Sequence, residues 1–246
     1  MTRGPVLVTA RGLTRVHGEG PSQVRAVAGV DLAVRAGELV AVMGPSGSGK
    51  TSLLRLLGGL DVPTSGRVTV AGQDLSELGP DDRARVRRRT VGYVFQQLNL
   101  VPLLTAAENV ALPLELDGIR PRSARAAALG ALADLGVADL ADRFPRDLSG
   151  GQQQLVALAR ALVGERRVVL ADEPTGALDS TTGDEVVRLL RARVDAGAAA
   201  VVVTHDARVA AWADRTVFLR DGVVTDVAEP GDPTDLLLGT PREASW

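Results

Sequence analysis

Cysteine is absent from this chain of 246 residues, and lysine occurs only once. The absence of cysteine excludes disulfides, thiolate metal sites and cysteine nucleophiles, and it fits a reducing compartment. The 28 basic residues comprise Lys50 and arginines alone. The composition therefore favours arginine at every basic position except one. We infer that position 50 carries chemistry that a guanidinium group cannot perform.

Long hydrophobic runs are also missing. The longest uninterrupted apolar run, residues 198–203, is far shorter than the about 18–20 residues of a membrane-spanning helix. The N-terminus has only a brief apolar stretch before Arg11, too short for the core of a signal peptide. We therefore expect no direct membrane insertion, and any membrane role would come through a partner.

A surplus of positive charge is missing as well. The chain has 30 acidic against 28 basic residues and a formal net charge of -2, so it offers no overall electrostatic attraction for nucleic acid. Arginines are concentrated in residues 83–90, but Asp81 and Asp82 precede them and no aromatic residue is interleaved. This segment predicts a solvated helix face, and we expect no nucleic-acid partner.

Lys50 belongs to the sequence GPSGSGKT at residues 44–51, which matches the pattern G-x-x-x-x-G-K-T. An apolar run at 39–43 predicts a buried strand before it, and leucines at helical spacing follow it. Backbone N–H groups in such a turn can surround a phosphate at the start of the helix. The alternative, that the segment is simply a flexible Gly/Ser loop, is disfavoured. Lys50 would contact the β- and γ-phosphates, and the Thr51 hydroxyl would bind magnesium. The predicted nucleotide-binding residues here are Gly44, Pro45, Ser46, Gly47, Ser48, Gly49, Lys50, Thr51 and Ser52.

A second hydrophobic run, residues 168–171, ends in the two carboxylates Asp172 and Glu173. Asp172 can hold magnesium, usually through water, and Glu173 can orient or deprotonate an attacking water. A strand that simply runs into an acidic loop is the alternative. Because a phosphate loop is present in the same chain, the catalytic interpretation is favoured.

The order of apolar patterns along the chain predicts an α/β fold. Strands are expected at residues 6–10, 24–34, 39–43, 67–70, 168–171, 199–204 and 216–219. Between Leu98 and Leu148 the sequence is rich in alanine and leucine at helical spacing. Strands that alternate with helices favour a mainly parallel sheet covered by helices. We place one domain at residues 1–228, with a helical insertion at about 97–163 and a loosely attached tail at 229–246.

Further motifs accompany the phosphate loop and the Asp172–Glu173 pair, and they follow one another in a fixed order along the chain. The sequence LSGGQQQ at residues 148–154 resembles the signature motif of ATP-binding-cassette (ABC) ATPases. YVFQ, which ends in Gln96, resembles the Q-loop of that family; ALD, which ends in Asp179, resembles the D-loop; VVVTHD contains His205 and resembles the switch-histidine segment. The resemblance covers residues 5–225. It implies a P-loop NTPase of ABC type, with a mainly parallel β core, an N-terminal antiparallel β subdomain and an inserted α-helical subdomain.

The resemblance implies catalytic and metal-binding roles for the matching residues. Gln96 would sense magnesium and the attacking water, and it would line the groove where a transmembrane permease docks. His205 would contact the γ-phosphate and hold Glu173 and water in register. The implied catalytic residues are Glu173, His205 and Gln96, and the implied metal ligands are Thr51, Gln96 and Asp172. The implied cofactors are ATP and Mg²⁺.

The signature motif implies that two subunits share each nucleotide. Its residues would contact the γ-phosphate bound by a second ATPase subunit, which we expect to be another copy of this chain. The residues implied in this contact are Ser149, Gly150, Gly151 and Gln152. Asp179 of the D-loop is a further implied nucleotide contact.

Two positions depart from the pattern of the family. His17 stands where the family usually stacks adenine on a tyrosine, and an imidazole buries less area against the base. Leu155 stands where an arginine normally follows LSGGQQQ. Neither change touches the residues assigned to phosphate or water, and His17 remains the predicted base contact.

Longer sequence segments point to one subfamily of the ABC ATPases. The segments FQQLNLVPLLTAAENVALPLEL and ADEPTGALDS resemble the macrolide-export and lipoprotein-release (MacB/LolD-type) ATPases, which work with FtsX-like permeases. Amino-acid importers and peptide-resistance exporters share parts of the pattern. The resemblance implies a cytoplasmic ATPase subunit, peripheral on the inner face of the cell membrane through its permease. A non-transport ABC ATPase and a nucleotide-sensing module without turnover are the alternatives.

Overall fold

The computed structural model describes residues 4–229 of the chain. This part of the chain contains ten β-strands and seven α-helices, with short 3-10 turns between some of them. The strands are β1 (Val6–His17), β2 (Val24–Arg35), β3 (Leu39–Met43), β4 (Ser65–Val70), β5 (Gln73–Asp74), β6 (Val91–Val94), β7 (Val168–Asp172), β8 (Ala199–Val203), β9 (Arg215–Arg220) and β10 (Val223–Ala228). The helices are α1 (Lys50–Leu57), α2 (Pro80–Thr90), α3 (Ala106–Glu115), α4 (Pro121–Asp134), α5 (Gly150–Leu162), α6 (Ser180–Asp195) and α7 (Ala207–Ala210).

A six-stranded sheet forms the centre of the fold, with the strand order β10-β9-β3-β8-β7-β6. Its strands run parallel except β10, which pairs antiparallel with β9. Alternate residues of β3 enter two different cores: Leu39 and Ala41 pack on one face of the sheet, Val40 and Val42 on the other. Because both faces are covered, the central strands are continuous apolar runs rather than alternating ones.

A four-stranded antiparallel sheet, in the order β2-β1-β4-β5, is built from the N-terminal part of the chain. Helix α1 joins this sheet to the central one, because its apolar side chains belong to the core that both sheets share. These side chains are Leu53, Leu54, Leu56 and Leu57. The phosphate loop that precedes α1 is thereby held between the two sheets.

Helices α3, α4 and α5 pack against one another and form the helical layer. Alanines at their contacts, such as Ala107, Ala124 and Ala128, are fully buried and allow the helices to approach closely. Helix α5 then continues onto the central sheet. A Cβ atom at Gly92 of β6 would overlap the carbonyl oxygen of Ala161, so this contact requires glycine. Helix α5 therefore connects the helical layer to the central sheet.

These observations confirm the predicted α/β fold with its mainly parallel sheet, antiparallel β subdomain and helical layer. Strand β1 exceeds the predicted segment 6–10, because residues beyond Ala10 keep pairing with β2 as far as His17. The sequence patterns do not predict β6, which has only four residues, or β10, whose residues are mostly exposed. The arginine-rich segment forms α2, in which Val86 is the buried residue, as expected for a solvated helix.

The domain limits at 1–228 and the insertion limits at about 97–163 stay predictions. The predicted tail at 229–246 lies outside the described residues apart from Glu229. Across residues 4–229, every helix is too short or too polar to cross a bilayer.

Candidate active site

Four groups of predicted site residues lie at the carboxyl ends of neighbouring parallel strands: the phosphate loop after β3, the carboxylate pair at the end of β7, His205 after β8 and Gln96 after β6. Strand pairing aligns Val42 of β3 with Val203 of β8, and Val203 with Asp172 of β7. In open α/β sheets, ligands bind at this edge. The topology therefore brings together the phosphate loop, the carboxylate pair, His205 and Gln96, which are far apart in the sequence.

The phosphate loop, residues 44–51, requires glycine at two positions. Gly44 has φ 149 and Gly49 has φ 100, in a region that residues with side chains rarely adopt. A Cβ atom at Gly44 would overlap the carbonyl oxygen of Leu219, and one at Gly49 would overlap that of Ala26. The loop therefore touches neighbouring backbone so closely that only glycine fits there.

The turn between β9 and β10 also holds this loop. The N–H of Gly222 donates a hydrogen bond to the carbonyl oxygen of Ser48, at 2.9 Å. The carbonyl oxygen of Gly222 accepts a hydrogen bond from the N–H of Ala28 in β2, at 2.8 Å. This turn therefore bridges the phosphate loop and the antiparallel sheet.

The ammonium group of Lys50 lies against the phosphate loop. Its Nζ atom donates hydrogen bonds to the carbonyl oxygens of Gly44 and Pro45, each at 2.8 Å. The Oγ atom of Ser48 is buried and has no hydrogen-bond partner within residues 4–229. A phosphate oxygen would provide an acceptor for both side chains, so the loop fits an anionic oxygen ligand at the N-terminus of α1.

A cavity of about 330 Å³ opens beside the phosphate loop. It is lined by Val24, Arg25 and Ala26 of β2, by the loop and α1 residues Gly47, Gly49, Lys50, Thr51 and Ser52, and by Asp221. His17 is exposed at the end of β1 and pairs with Val24, so it lies next to a lining residue. Arg25 and Asp221 lie outside the phosphate loop and the other sequence motifs. Sheet pairing and the β9–β10 turn bring them to the cavity, and neither leaves a local sequence signal.

Asp172 is buried at the end of β7 and is 2% exposed. Burial raises its pKa above the ordinary value, and a hydrogen bond from the Thr51 side chain acts in the opposite direction. Thr51 and Asp172 thus place a hydroxyl and a carboxylate together beside the loop. Both are the hard oxygen ligands that Mg²⁺ prefers.

The described part of the chain forms no closed metal cage. Within residues 4–229, no cluster of three or more His, Cys, Asp or Glu side chains could hold a metal ion. Mg²⁺ is usually bound by one or two protein ligands together with substrate phosphates and water. Thr51 and Asp172 therefore fit magnesium delivered with a nucleotide. Gln96 is exposed after β6.

Glu173 and His205 contact each other directly. The Nδ1 atom of His205 donates a hydrogen bond to Oε1 of Glu173 at 2.9 Å. The hydroxyl of Thr204 donates a longer one, 3.4 Å, to Oε2. The hydrogen bond and the negative charge of Glu173 raise the pKa of His205 above its ordinary value. The carboxylate is therefore oriented by two side chains from the end of β8.

The signature residues form the N-terminus of α5. The Oγ atom of Ser149 accepts from the N–H of Gln152, and Oε1 of Gln152 accepts from the N–H of Ser149, which is a capping box. Gly150 and Gly151 lie in the first turn. None of residues 149–152 is among the described residues that line the cavity beside Lys50.

Asp179 caps α6 and does not line that cavity either. Its Oδ1 atom accepts hydrogen bonds from the N–H groups of Thr181 and Thr182, each at 3.0 Å. Together with the Thr182 hydroxyl, these bonds hold the pKa of Asp179 below its ordinary value. Asp179 thus fixes the start of the helix that follows the carboxylate pair.

Comparison with known proteins assigns the chain to a family. The family model described as ABC transporter matches residues 27–176, which is more than half of the chain. The chain belongs to the ABC transporter family. The matched range includes the phosphate loop, the signature residues and the carboxylate pair.

Curated relatives of this ABC chain include macrolide export ATP-binding/permease proteins MacB. The chain is 46% identical over 220 residues to MacB of Hyphomonas neptunium, which covers 89% of this chain and 34% of the relative. It is 47% identical over 228 residues to MacB of Burkholderia pseudomallei, which covers 92% of this chain and 35% of the relative. The chain thus spans about a third of the length of these relatives.

Solved structures of an ABC cassette match most of this chain. MJ0796, a bacterial ABC transporter cassette whose structure is dimeric, aligns with a TM-score of 0.88 and 40% sequence identity. The alignment covers 92% of this chain and all of that cassette, and a post-hydrolysis dimer of MJ0796 with ADP and Pi matches equally well. The fold is therefore that of an ABC cassette.

Proposed function

We propose that this chain binds ATP with Mg²⁺ at the cavity beside Lys50 and hydrolyses it to ADP and phosphate. The observation that carries the proposal is the convergence of three groups at one sheet edge: the phosphate loop, the Thr51–Asp172 oxygen pair and the Glu173–His205 hydrogen bond. The ADP and Pi bound to MJ0796 support the same chemistry.

The side chains divide the work of hydrolysis. The backbone of the phosphate loop and Lys50 bind the β- and γ-phosphates, and Ser48 offers its buried hydroxyl to a phosphate oxygen. Glu173 orients the attacking water or accepts its proton, and His205 fixes the carboxylate and reaches the γ-phosphate. Thr51 and Asp172, with Gln96, would hold Mg²⁺, which neutralises phosphate charge when bound. Catalysis here is positioning and electrostatics, without a covalent intermediate.

Two copies of the chain would complete two sites. Residues 149–152 do not line the cavity of their own chain, which supports a site closed by the signature residues of a second copy. The exposed N-terminus of α5 presents N–H groups that suit the γ-phosphate of the opposite nucleotide. The dimeric structures of MJ0796 support this arrangement.

The membrane partner would be a transmembrane permease of the FtsX-like type. The MacB relatives are ATP-binding/permease proteins, and this chain spans about a third of their length. We place the chain on the cytoplasmic face of the cell membrane, docked beside Gln96. Coexpression with a candidate permease should transfer the chain to the membrane fraction, and recovery that is independent of the permease would contradict this part.

Phosphate release tests the proposal as a whole. The wild-type chain should release phosphate from ATP in the presence of Mg²⁺, and Glu173→Gln should slow turnover by about 10²- to 10³-fold while still binding ATP. ATP binding without phosphate release in the wild type would instead assign the chain to nucleotide sensing. Release that is equally fast in Glu173→Gln would contradict the role of that carboxylate.

A further inference from the structure

Gln154 is a buried polar side chain that the proposed mechanism leaves unused. It is the last residue of the LSGGQQQ motif, lies on α5 and is 3% exposed. Its Nε2 atom donates a hydrogen bond to the carbonyl oxygen of Glu173 at 2.9 Å, and its Oε1 atom accepts one from the N–H of Ala177 at 3.0 Å. A single amide thus binds both ends of the segment 173–177.

The main chain of Glu173 depends on these contacts. Its φ of 50 lies in the left-handed region, which residues with side chains adopt only when their surroundings fix it. Its N–H donates to the carbonyl oxygen of Val203 in β8 at 2.9 Å. Its carbonyl oxygen accepts from Gln154 and, at 3.1 Å, from the N–H of Gly176. Strand β8 therefore holds the N–H of Glu173, and α5 holds its carbonyl oxygen.

The same helix also approaches the next part of the segment. A Cβ atom at Gly151 would lie 3.2 Å from the carbonyl oxygen of Ala177, so the first turn of α5 packs closely on this backbone. Ala177 lies two residues before Asp179, the cap of α6. The N-terminus of α5 is therefore joined to the backbone on both sides of the turn after β7.

We infer that Gln154 is a positioning residue that links the signature helix to the backbone of Glu173. The inference rests on the proposed function, because it assigns Glu173 to the hydrolytic step. When a second copy engages the N-terminus of α5, displacement of the helix passes through the Gln154 amide to Glu173 and Ala177. Without that amide the backbone of Glu173 relaxes, and its carboxylate shifts from the position set by His205. Misplacement of this kind lowers turnover rather than nucleotide affinity.

The test compares two substitutions of Gln154 with one substitution of a buried amide elsewhere in the fold. Gln154→Met keeps the length of the side chain and removes both hydrogen bonds. Asn109→Leu is the control, because Asn109 is fully buried on α3 and bonds the backbone of Val101, Leu104 and Thr105. We expect Gln154→Met to lower kcat about 10- to 100-fold with KM for ATP within about twofold. Asn109→Leu should lower Tm while keeping kcat within about twofold of wild type.

Gln154→Glu provides a readout that a purely structural role would not give. Its carboxylate accepts from Ala177 but cannot donate to Glu173, whereas its protonated form can do both. Burial raises the pKa of such a carboxyl, so it will gain its proton within the accessible range. The activity of this variant relative to wild type should rise as pH falls from about 8.5 to about 6. If Gln154→Met does not fold, the pH dependence of the activity of Gln154→Glu relative to wild type decides whether the inference holds. A relative activity that does not change with pH overturns the inference.

Parallel assays of Glu173→Gln distinguish failure of the Gln154 inference from failure of the proposed function. Inactive Glu173→Gln together with a folded Gln154→Met whose kcat stays within about twofold of wild type would overturn the inference alone. A kcat loss of equal size in Asn109→Leu would also overturn it. Full turnover in Glu173→Gln would overturn the role of Glu173 on which the inference rests, whereas ATP binding without phosphate release in the wild type would overturn the proposed function itself.

Discussion

The Nδ1 atom of His205 lies 2.9 Å from Oε1 of Glu173, although the histidine side chain is 79% exposed and the glutamate side chain 18%. An exposed histidine thus binds a largely covered carboxylate. The interaction favours protonated His205, because the hydrogen bond to Glu173 and the negative charge of that carboxylate both raise the pKa of His205.

Glu173→Gln should lower the pKa of His205 towards its ordinary value, because it removes the carboxylate charge. Titration of the imidazole signals by NMR measures this, and a His17→Ala variant assigns the signals of the two histidines. Since the pKa is raised in the folded state, the contribution of the pair to stability is complete below the unfolded-state pKa. It is lost as pH rises through the folded-state pKa. An unchanged pKa of His205 in Glu173→Gln would contradict the hydrogen bond.

Lys50→Arg should weaken ATP binding nearly as much as Lys50→Ala, by about 10- to 100-fold, since hydrogen bonds to a charged group contribute about 1.5–3 kcal/mol. The guanidinium keeps the charge, but it is larger and planar and does not fit between the carbonyl oxygens of Gly44 and Pro45. Equilibrium binding of a fluorescent ATP analogue measures the loss. Near-normal affinity of the arginine variant would contradict our account of the single lysine.

His17→Tyr should tighten ATP binding modestly, by about 0.5–1 kcal/mol, because a tyrosine ring adds stacking area for the base. His17→Ala should weaken ATP and GTP alike. Tripolyphosphate, which has no base, is the control ligand, and its affinity should be the same in all three proteins. No change for either nucleotide in both variants would place His17 outside the site.

Gly49→Ala should destabilise the fold more than Gly47→Ala. Both glycines have positive φ, but a Cβ atom meets nothing within 4 Å at Gly47, whereas at Gly49 it overlaps the carbonyl oxygen of Ala26. We expect Gly47→Ala to cost about 1–2 kcal/mol for its backbone conformation. The overlap at Gly49 should add about 1–3 kcal/mol. Denaturant unfolding of both variants measures the difference, and equal losses would contradict the close approach.

Mixing two inactive variants should restore ATPase activity if the site is shared. Glu173→Gln should accumulate as an ATP-bound dimer, whereas Ser149→Arg should block that dimer by placing bulk and charge against the opposite γ-phosphate. In a mixed dimer, the Glu173→Gln chain supplies an intact signature to the normal phosphate loop of the other chain. Phosphate release should reappear at no more than about half the wild-type rate, unless the two sites are strictly cooperative.

The oligomeric state completes this test. Light scattering should show Glu173→Gln as a dimer with saturating ATP. If this variant stays monomeric both alone and with its permease, the shared-site mechanism is wrong.

The local parts of the site were predictable from the sequence, because short-range spacing carries their signal. The phosphate loop is a contiguous run that ends at Lys50 and Thr51, and the pair Asp172–Glu173 ends an apolar strand. The capping box of Ser149 and Gln152 also has a sequence pattern, S-x-x-Q, although the resemblance assigned both residues only to the nucleotide.

Contacts that depend on strand register could not be predicted from local patterns, and only the family resemblance implied that His205 holds Glu173. The Glu173–His205 bond follows from the alignment of β7 with β8, which places Asp172 opposite Val203. Arg25 and Asp221 reach the cavity through different sheets, and neither position has a local pattern. The register of a sheet is fixed by the packing of the whole core, so no window of sequence around one strand contains it.

The phosphate loop lies early in the chain, but its supports come late. Strand β3 pairs with β8 and β9, and Gly222 of the last turn holds the carbonyl of Ser48. During synthesis, the segment that carries Lys50 therefore leaves the ribosome long before the strands that flank it. Pairing of such distant segments is slow, and the loop cannot hold its shape until β8, β9 and Gly222 have emerged. We expect a nascent chain to gain the capacity to bind nucleotide only after residue 222 has left the ribosome.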